Sequence, residues 1–255
     1  MTSTRDMIQR LLTKADLPVT MAVNEWRANG SPITEEALEK IIDLMRRDFL
    51  SDFRADGSGR FRPSMLGDTC DRRQMLSYLG YPKSEWEDPK FMESGTWGHY
   101  RWQLAGLSAG WLESVEAPVS HPLYPMKGSA DGIQIDDNGV FELKQTNDKL
   151  IAQVRKTEQP KAQHLIQVAG YMQARNIEKA SVVYESRGFL NFHEVRVYRT
   201  REVDMKFTLH MEHMMEFVRD RRMPEMLADC RRQVGNDYRN CPWKGVCATA
   251  EWREV

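Results

Sequence analysis

The sequence PLYPMKGSADGIQIDDNGVFELKQTN, residues 122–147, predicts a β-hairpin that carries three charged side chains at related positions. The DDNG signal at 136–139 separates two segments rich in apolar residues, which is typical of two antiparallel strands joined by a turn. Because side chains alternate between the two faces of a strand, Glu142 and Lys144 project to the same side. Asp131 lies on the partner strand, and the pairing of the two strands decides how close it comes to Glu142 and Lys144.

The length of the turn sets the register of this hairpin. A four-residue turn over 136–139 would place Asp131 directly opposite Lys144, with Glu142 one diagonal away at about 7–8 Å. A two-residue turn at 138–139 would shift the pairing by one step on each strand and would leave Asp131 on the same face. We expect the four-residue turn.

Two carboxylates and one amine on an otherwise apolar sheet face carry a desolvation cost. A hard divalent cation such as Mg²⁺ or Mn²⁺ would relieve it, since these ions prefer oxygen ligands and often bind phosphate as well. Lys144 could then orient or deprotonate an attacking water. The alternative is a solvent-facing hairpin with a salt bridge between Asp131 and Lys144, and the spacing alone does not choose between the two.

Composition limits what this hairpin can belong to. The 255 residues can bury one core, or one core with a small appended lobe. The apolar runs are too short for a membrane span and the N-terminus lacks a secretory pattern, so we expect a cytoplasmic protein. With a formal net charge of -1 there is no global positive field, and any contact with nucleic acid must rest on local patches.

The order of predicted elements indicates an α/β fold in which helices flank a mixed β-sheet. We expect a helical N-terminal extension over 1–60 and a main domain over 61–255. The extension includes a helix capped by Thr34, whose apolar stripe at helical spacing consists of Leu38, Ile41, Ile42, Met45 and Phe49. The elements predicted for the main domain are helices at 71–79, 96–109, 161–175 and 202–221 and strands at 113–120, 127–135, 140–146, 180–187 and 192–199.

The four cysteines are unevenly placed. Cys70 stands alone, whereas Cys230, Cys241 and Cys247 lie together near the C-terminus. Disulfides are unlikely to persist in a reducing cytosol. The cysteines are therefore either independent buried thiols or ligands of one metal group.

The stretch GSADGIQIDDNGVFELKQT resembles the core of the PD-(D/E)XK nuclease superfamily, with Asp131 as the first acidic residue and Glu142, Leu143 and Lys144 as the E-x-K motif. Other stretches resemble the RecB-like exonuclease branch, which includes the iron-sulfur nucleases associated with CRISPR systems and the AddB nuclease domain. The resemblance covers roughly residues 60–250. It implies a restriction-endonuclease-like fold with a cysteine-bound cluster lobe.

Two further motifs carry the resemblance. GTWGHYRWQ is similar to the G-x-x-x-H motif of the branch and contains His99, while QHLIQVAGYMQAR is similar to its Q-x-x-x-Y motif, with Gln167 and Tyr171 on a polar helical stripe that also includes Gln163. The resemblance implies that Gln167 and Tyr171 help to hold the substrate strand. It also implies a Mg²⁺ or Mn²⁺ site whose ligands are His99, Asp131, Glu142 and the Leu143 carbonyl.

For the cysteines, the resemblance implies a structural [4Fe-4S] cluster with Cys70, Cys230, Cys241 and Cys247 as its ligands. The branch commonly places the second and third cysteines as C-x-x-C, whereas ten residues separate Cys230 from Cys241 here. Zinc is the rival metal. Structural zinc sites, however, usually contain close C-x2-4-C pairs, which this chain lacks.

The resemblance implies a metal-dependent DNA exonuclease that acts on single-stranded or frayed DNA ends in recombination, repair or phage DNA metabolism. Its partners would be DNA and proteins of recombination or CRISPR adaptation. Trp97, Tyr100 and Trp102, close in sequence to the predicted metal site, are candidates for stacking on bases. The alternatives are a non-catalytic DNA-binding assembly subunit and an endonuclease. The polarity of digestion and the oligomeric state cannot be predicted from these residues.

Overall fold

A mixed sheet of five strands forms the centre of the molecule, in the order β1-β2-β3-β4-β5. Strands β3 and β4 are parallel, and the other neighbouring pairs are antiparallel. The strands are β1 (Leu112–Ser120), β2 (Lys127–Gln134), β3 (Val140–Thr146), β4 (Lys179–Ser186) and β5 (Phe192–Tyr198). The predicted mixed α/β sheet is confirmed.

Helices flank this sheet in the computed structural model, which describes residues 17–50, 59–83, 89–135, 138–188 and 191–255. The helices are α1 (Pro18–Ala28), α2 (Glu35–Leu50), α3 (Asp71–Tyr78), α4 (Pro89–Ser108), α5 (Asp148–Thr157), α6 (Ala162–Arg175), α7 (Arg201–Arg219) and the short α8 (Ala228–Arg231), α9 (Gly235–Arg239) and α10 (Lys244–Cys247), with a 3-10 turn at Pro63–Met65. None of the helices in the described ranges is long and apolar enough to cross a membrane.

The two largest hydrophobic clusters of the described residues lie on the sheet. The larger one joins strand residues such as Val182 and Val195 to Met172 of α6 and Phe207 of α7. The second contains α1, whose Val19 packs among apolar residues of α4, β3 and β4. These residues are Trp102, Phe141, Leu143 and Val183. The sheet is thus covered by helices, and the parallel pair of β3 and β4 is joined through α5 and α6.

Helix α5 was not predicted from the sequence, although its start carries a recognisable cap. The Asn147 side chain accepts a hydrogen bond from the Leu150 N–H at 2.9 Å, and Ile151 and Val154 face the core. The signal was present in the residues, but it follows directly after a strand and is short.

The predicted register of the hairpin is wrong. Gly132 pairs with Phe141 and Ile133 pairs with Val140, so Asp131 is not opposite Lys144. The pairing is displaced by two residues, which keeps Asp131 on the face shared by Glu142 and Lys144, since the side-chain period of a strand is two. Of the predicted turn, residues 136–137 lie outside the described residues.

The N-terminal region is helical where it is described. Helix α2 begins after Thr34, whose hydroxyl accepts from the Ala37 N–H at 3.3 Å. Its buried stripe differs from the predicted one: Ile41 is buried, as predicted, but Leu38 and Phe49 are 41% and 63% exposed. The remaining buried positions are Ala37 and Leu44. Residues 1–16 and 51–58 lie outside the described part of the chain, and the boundary at residue 60 stays a prediction.

Candidate active site and four-cysteine pocket

The hairpin strands separate next to Asp131, and its carboxylate bridges the gap. One oxygen, Oδ2, accepts a hydrogen bond from the Leu143 N–H at 2.6 Å, and Oδ1 lies 3.1 Å from His99 Nδ1. The β2–β3 ladder has its last described pair, counted away from the turn, at Gly132 and Phe141, and Asp131 directly precedes Gly132 in the chain. The side chain therefore takes the place of a backbone acceptor for Leu143.

Glu142 is held by two side chains from different elements. Its Oε1 accepts from Lys144 Nζ at 2.6 Å and from Gln167 Nε2 at 2.8 Å, and Gln167 Oε1 accepts from the same Lys144 ammonium at 2.9 Å. The other oxygen of Glu142, Oε2, is buried and has no hydrogen-bond partner within the described ranges. An unpartnered buried carboxylate oxygen is costly, and a donor or a cation would relieve that cost.

Helix α6 fixes Gln167 through Tyr171, one turn further along. Gln167 Nε2 also lies 3.0 Å from the Tyr171 hydroxyl, which donates to the Ser129 carbonyl on β2 at 2.7 Å. Gln163 does not join this group, because its amide donates instead to the Ser64 carbonyl at 3.4 Å. The structure thus brings Gln167 and Tyr171 to the hairpin and leaves Gln163 outside.

Helix α4 supplies His99 because it approaches β3 closely at the preceding residue. A Cβ on Gly98 would lie 2.2 Å from the Gln145 amide nitrogen, so only glycine fits the observed contact without displacing that side chain. Tyr100 and Trp102, which we considered for base stacking, are buried at 5% and 2% exposure, and this interpretation of the two is wrong. Trp97 is 51% exposed.

The charges in this cluster, which we call the carboxylate site (His99, Asp131, Glu142 and Lys144), shift the pKa values of its two carboxyl groups and its imidazole. Burial raises the pKa of Glu142 to about 7, with a further rise from Asp131 that Lys144 opposes. Burial acts in the same direction on Asp131, but His99 and Lys144 outweigh it and hold its pKa below the usual range. Two neighbouring carboxyl groups whose pKa values are pushed apart are typical of sites that handle protons or cations.

His99 responds to the same field. Burial lowers its pKa, but the charges of Asp131 and Glu142 outweigh this effect and raise the pKa to about 9. The site therefore draws positive charge to the position between its carboxylates. A divalent cation bound there would displace the proton of the imidazole.

Glu116 on β1 is the residue that the sequence analysis missed. One ligand atom each of His99, Glu116 and Asp131 lies within 4.8 Å of the others, a spacing that could hold a metal ion. The neighbours of Glu116 on β1, Val115 and Ala117, pair with the residues on either side of Asp131. This places a third carboxylate beside the hairpin.

The backbone of Glu116 is unusual for a strand residue. Its φ is +47°, in the left-handed region that favours glycine. Gln103 Nε2 donates to its Oε1 at 3.0 Å and also to the Asp131 carbonyl at 3.0 Å, while the Ser129 hydroxyl donates to its Oε2 at 2.6 Å. The surroundings thus hold Glu116 in a conformation that costs free energy, which is often found at functional sites.

All four cysteines line one pocket, far along the chain from the carboxylate site. The sulfurs of Cys70, Cys230, Cys241 and Cys247 are free thiols of buried residues, and the wall also includes Arg73. We call this the four-cysteine pocket. Its other lining residues are Leu76, Met226, Leu227 and Asp237.

Burial raises the pKa of thiols in this pocket, and nearby backbone N–H groups and a guanidinium oppose this rise only weakly. Burial raises the pKa of Cys70 to about 11, against smaller opposite effects of the backbone N–H and the guanidinium of Arg73. Burial also raises the pKa of Cys241, against a hydrogen bond from the Trp243 backbone. Backbone N–H groups directed at cysteine sulfur are a feature of metal-bound cysteines.

Arg72 joins the two parts of the chain that form the pocket. Its guanidinium donates to the Cys247 carbonyl at 3.0 and 2.8 Å, to the Pro224 carbonyl at 2.7 Å and to the Ala250 carbonyl at 2.7 Å. This buried contact ties α3, which begins directly after Cys70, to the C-terminal segment.

The sheet order, with its parallel pair beside an acidic hairpin, is that of the restriction-endonuclease-like fold. The chain is similar to the solved structure of LHK-Exo, an alkaline exonuclease from Laribacter hongkongensis, in complex with dAMP, at 15% identity and a TM-score of 0.52, over 66% of this chain and 91% of that chain. This similarity supports the predicted fold.

Two weaker similarities are to SSO0001 (15% identity, TM-score 0.46, 82% of this chain and 95% of that chain) and to a phage related exonuclease from Haemophilus somnus 129PT (14% identity, TM-score 0.43, 66% and 98%). No family model and no curated protein sequence matches the chain.

Proposed function

We propose that this chain is a divalent-metal-dependent nuclease that hydrolyses DNA as an exonuclease. The observation that supports this best is the buried Glu142 oxygen without a partner, beside the second carboxylate, Asp131, and a lysine held two residues further on. A purely structural ion pair would not leave such an oxygen unpaired. A cation would satisfy it and could bind a phosphate oxygen at the same time.

The donor set fits Mg²⁺ or Mn²⁺. Carboxylate oxygens and one imidazole are available from His99, Glu116, Asp131 and Glu142, and none of these groups is a soft sulfur ligand. The Leu143 carbonyl, predicted as a further ligand, follows Glu142 directly and stays a prediction. A bound divalent ion would stabilise the negative charge that develops on the phosphoryl oxygens and acidify a water.

Lys144 is suited to position the attacking water. Two of its three N–H donors are used by Glu142 and Gln167 within the described structure, which fixes the ammonium and leaves one donor for water or phosphate. Gln167 and Tyr171 would act mainly by holding Lys144 and Glu142 in place. They are therefore positioning residues. We also propose that they contact the DNA strand.

DNA is the proposed substrate because a neighbour with this fold, an alkaline exonuclease, binds dAMP. We infer single-stranded or frayed ends as the preferred form. Linear strands, circular single strands and end-blocked duplexes together separate this proposal from its alternatives. The exonuclease would degrade only the linear strands, and an endonuclease would cut all three. A DNA-binding assembly subunit would cut none of them and would still bind labelled strands in Mn²⁺.

Asp131→Asn tests the metal site with little change in shape, since the amide oxygen can still accept from the Leu143 N–H. We expect hydrolysis of labelled DNA in Mn²⁺ to fall by roughly 1,000-fold, the effect of losing several kcal/mol of charge stabilisation. The matched control is Glu113→Gln, an exposed carboxylate on β1. A variant that folds and retains more than a tenth of the wild-type rate would refute the assignment.

We further propose that the four-cysteine pocket binds a [4Fe-4S] cluster with a structural role. The convergence of Cys70, Cys230, Cys241 and Cys247 supports four thiolate ligands, including Cys230, whose spacing departs from the related branch. Such a group would tie α3 to the C-terminal segment, alongside Arg72. Recombination or CRISPR-adaptation proteins remain the partners we expect, from the resemblance alone.

A further inference from the structure

Helix α3 carries two adjacent arginines that the protein uses in different ways. All three nitrogens of Arg72 donate to backbone carbonyls, and its side chain is satisfied. Arg73 has one end engaged: its Nη2 lies 2.7 Å from Asp68 Oδ1 and 3.5 Å from Asp237 Oδ1. Its Nε is buried and has no acceptor, sulfur included, among the described residues.

This unpaired donor belongs to a residue that lines the four-cysteine pocket. The guanidinium is close enough for its charge to act on Cys70, Cys230 and Cys241. Asp68 fixes the far end of the side chain and also accepts from the Cys70 backbone N–H at 2.9 Å. The position of Arg73 is therefore coupled to the backbone of the first cysteine.

A buried N–H without an acceptor destabilises the folded state. The part of the chain that the structure describes supplies no acceptor at Arg73 Nε, and an occupant of the pocket could provide one. A single zinc ion held by four thiolates adds no acceptor atom. An iron-sulfur cluster adds inorganic sulfides, and hydrogen bonds to cluster sulfurs and nearby charge are known determinants of the reduction potential.

We propose that Arg73 donates its Nε–H to an inorganic sulfide of an iron-sulfur cluster in the four-cysteine pocket, and that this bond and the guanidinium charge set the cluster's reduction potential and its lifetime. The inference rests on the cluster proposed above and is independent of the nuclease activity. It gives Arg73 a positioning and tuning role, with Asp68 as the residue that orients it.

The test compares Arg73→Met, which removes the donor and the charge, with Arg73→Lys, which keeps the charge and lacks the Nε–H. Arg232→Met, an exposed arginine of the same C-terminal region as Cys230, is the control. The full chain is purified without oxygen, and iron, acid-labile sulfide, reduction potential and the decay of visible absorbance in air are measured.

We expect wild type and Arg232→Met to contain iron and sulfide in equal amounts. Loss of a positive charge disfavours the reduced cluster, so Arg73→Met should shift the reduction equilibrium about tenfold, which is 59 mV more negative for one electron. Its cluster should decay several-fold faster in air. Arg73→Lys should keep most of the potential and lose the slow decay, because the charge remains and the hydrogen bond does not.

Two results would overturn the inference: wild-type protein that contains stoichiometric zinc without sulfide, or Arg73 variants with the potential and decay rate of Arg232→Met. If Arg73→Met does not accumulate as folded protein, Arg73→Lys is compared with Arg232→Met instead. Faster decay of the cluster in Arg73→Lys would support the inference, and equal decay would overturn it. Since no measurement involves DNA, a chain that binds the cluster and fails to cut DNA would refute the nuclease proposal alone.

Discussion

The carboxylate site and the four-cysteine pocket are both buried and rich in ionisable groups, but the chain holds them differently. Glu142 and Lys144 are fixed by side chains from β3 and α6. The thiols have only a few backbone N–H contacts to hold them, such as that of Arg73 to Cys70. The first site is organised by the fold before it binds anything. In the second, the proposed occupant would itself supply much of the organisation.

This difference predicts that the two regions have opposite effects on the free energy of unfolding. The carboxylate site costs free energy at Glu142, since burial and the charge of Asp131 both disfavour the ionised form of that carboxyl group. A group bonded to four cysteines would raise stability, because binding to the folded state alone adds to the free energy of unfolding. Activity should depend on the first region and thermal stability on the second.

The largest effect should come from Cys241→Ser, which breaks the proposed ligand set. We expect loss of the metal group and a drop in the free energy of unfolding on the order of 5 kcal/mol, enough to unfold a marginally stable domain at 37 °C. Thermal unfolding followed by circular dichroism measures it, and treatment of wild type with a chelator should reproduce it.

Asp131→Asn is the opposite case and should change the melting temperature little, since it removes both the ion pair with His99 and the repulsion of Glu142. The Cys241→Ser protein, by contrast, should keep its activity. At a temperature where part of this variant is still folded, the folded fraction should hydrolyse DNA at the wild-type rate. Equal melting temperatures for Cys241→Ser and wild type would contradict the structural role of the pocket.

A smaller effect is expected from Glu116→Gln, which tests whether the carboxylate site extends to β1. The amide keeps the hydrogen bond from Gln103 but loses the charge, so we expect Mn²⁺ affinity to fall 10- to 100-fold. Isothermal titration with Mn²⁺ measures this, with the exposed Glu113→Gln as control. An unchanged affinity would confine the metal site to the hairpin and His99.

Much of the fold could be predicted because the hydrophobic pattern carries it. The strands and the long helices α6 and α7 have a clear period of two or of 3.6, and their order defines the mixed sheet. The spacing of one helical turn also places Gln167 and Tyr171 on one face of α6, whereas their role beside the hairpin was implied by the resemblance. Periodicity depends only on residues that are close in the sequence, so it can be recognised without knowledge of the tertiary contacts.

The register and Glu116 could not be predicted because tertiary contacts decide them. The strands separate beside Asp131 and its carboxylate binds the Leu143 N–H, which no turn rule anticipates. Glu116 adopts a positive φ without being glycine or asparagine, held by Gln103 and Ser129 from other elements. Such strain is invisible in one sequence, because it depends on residues distant along the chain.

The smallest effect should come from Tyr171→Phe, which asks how much of the preorganisation depends on one hydroxyl. The change leaves the Ser129 carbonyl and the Gln167 amide each without one partner, so the free energy of unfolding should fall by about 1–2 kcal/mol. Because Gln167 also holds Lys144 and Glu142, we expect the turnover rate to fall about fivefold, with little change in substrate affinity. Tyr198→Phe, an exposed tyrosine on β5, is the matched control. If Tyr171→Phe lost stability and kept the full turnover rate, the hydroxyl would support only the fold, and the organisation of the carboxylate site would depend on Gln167 without it.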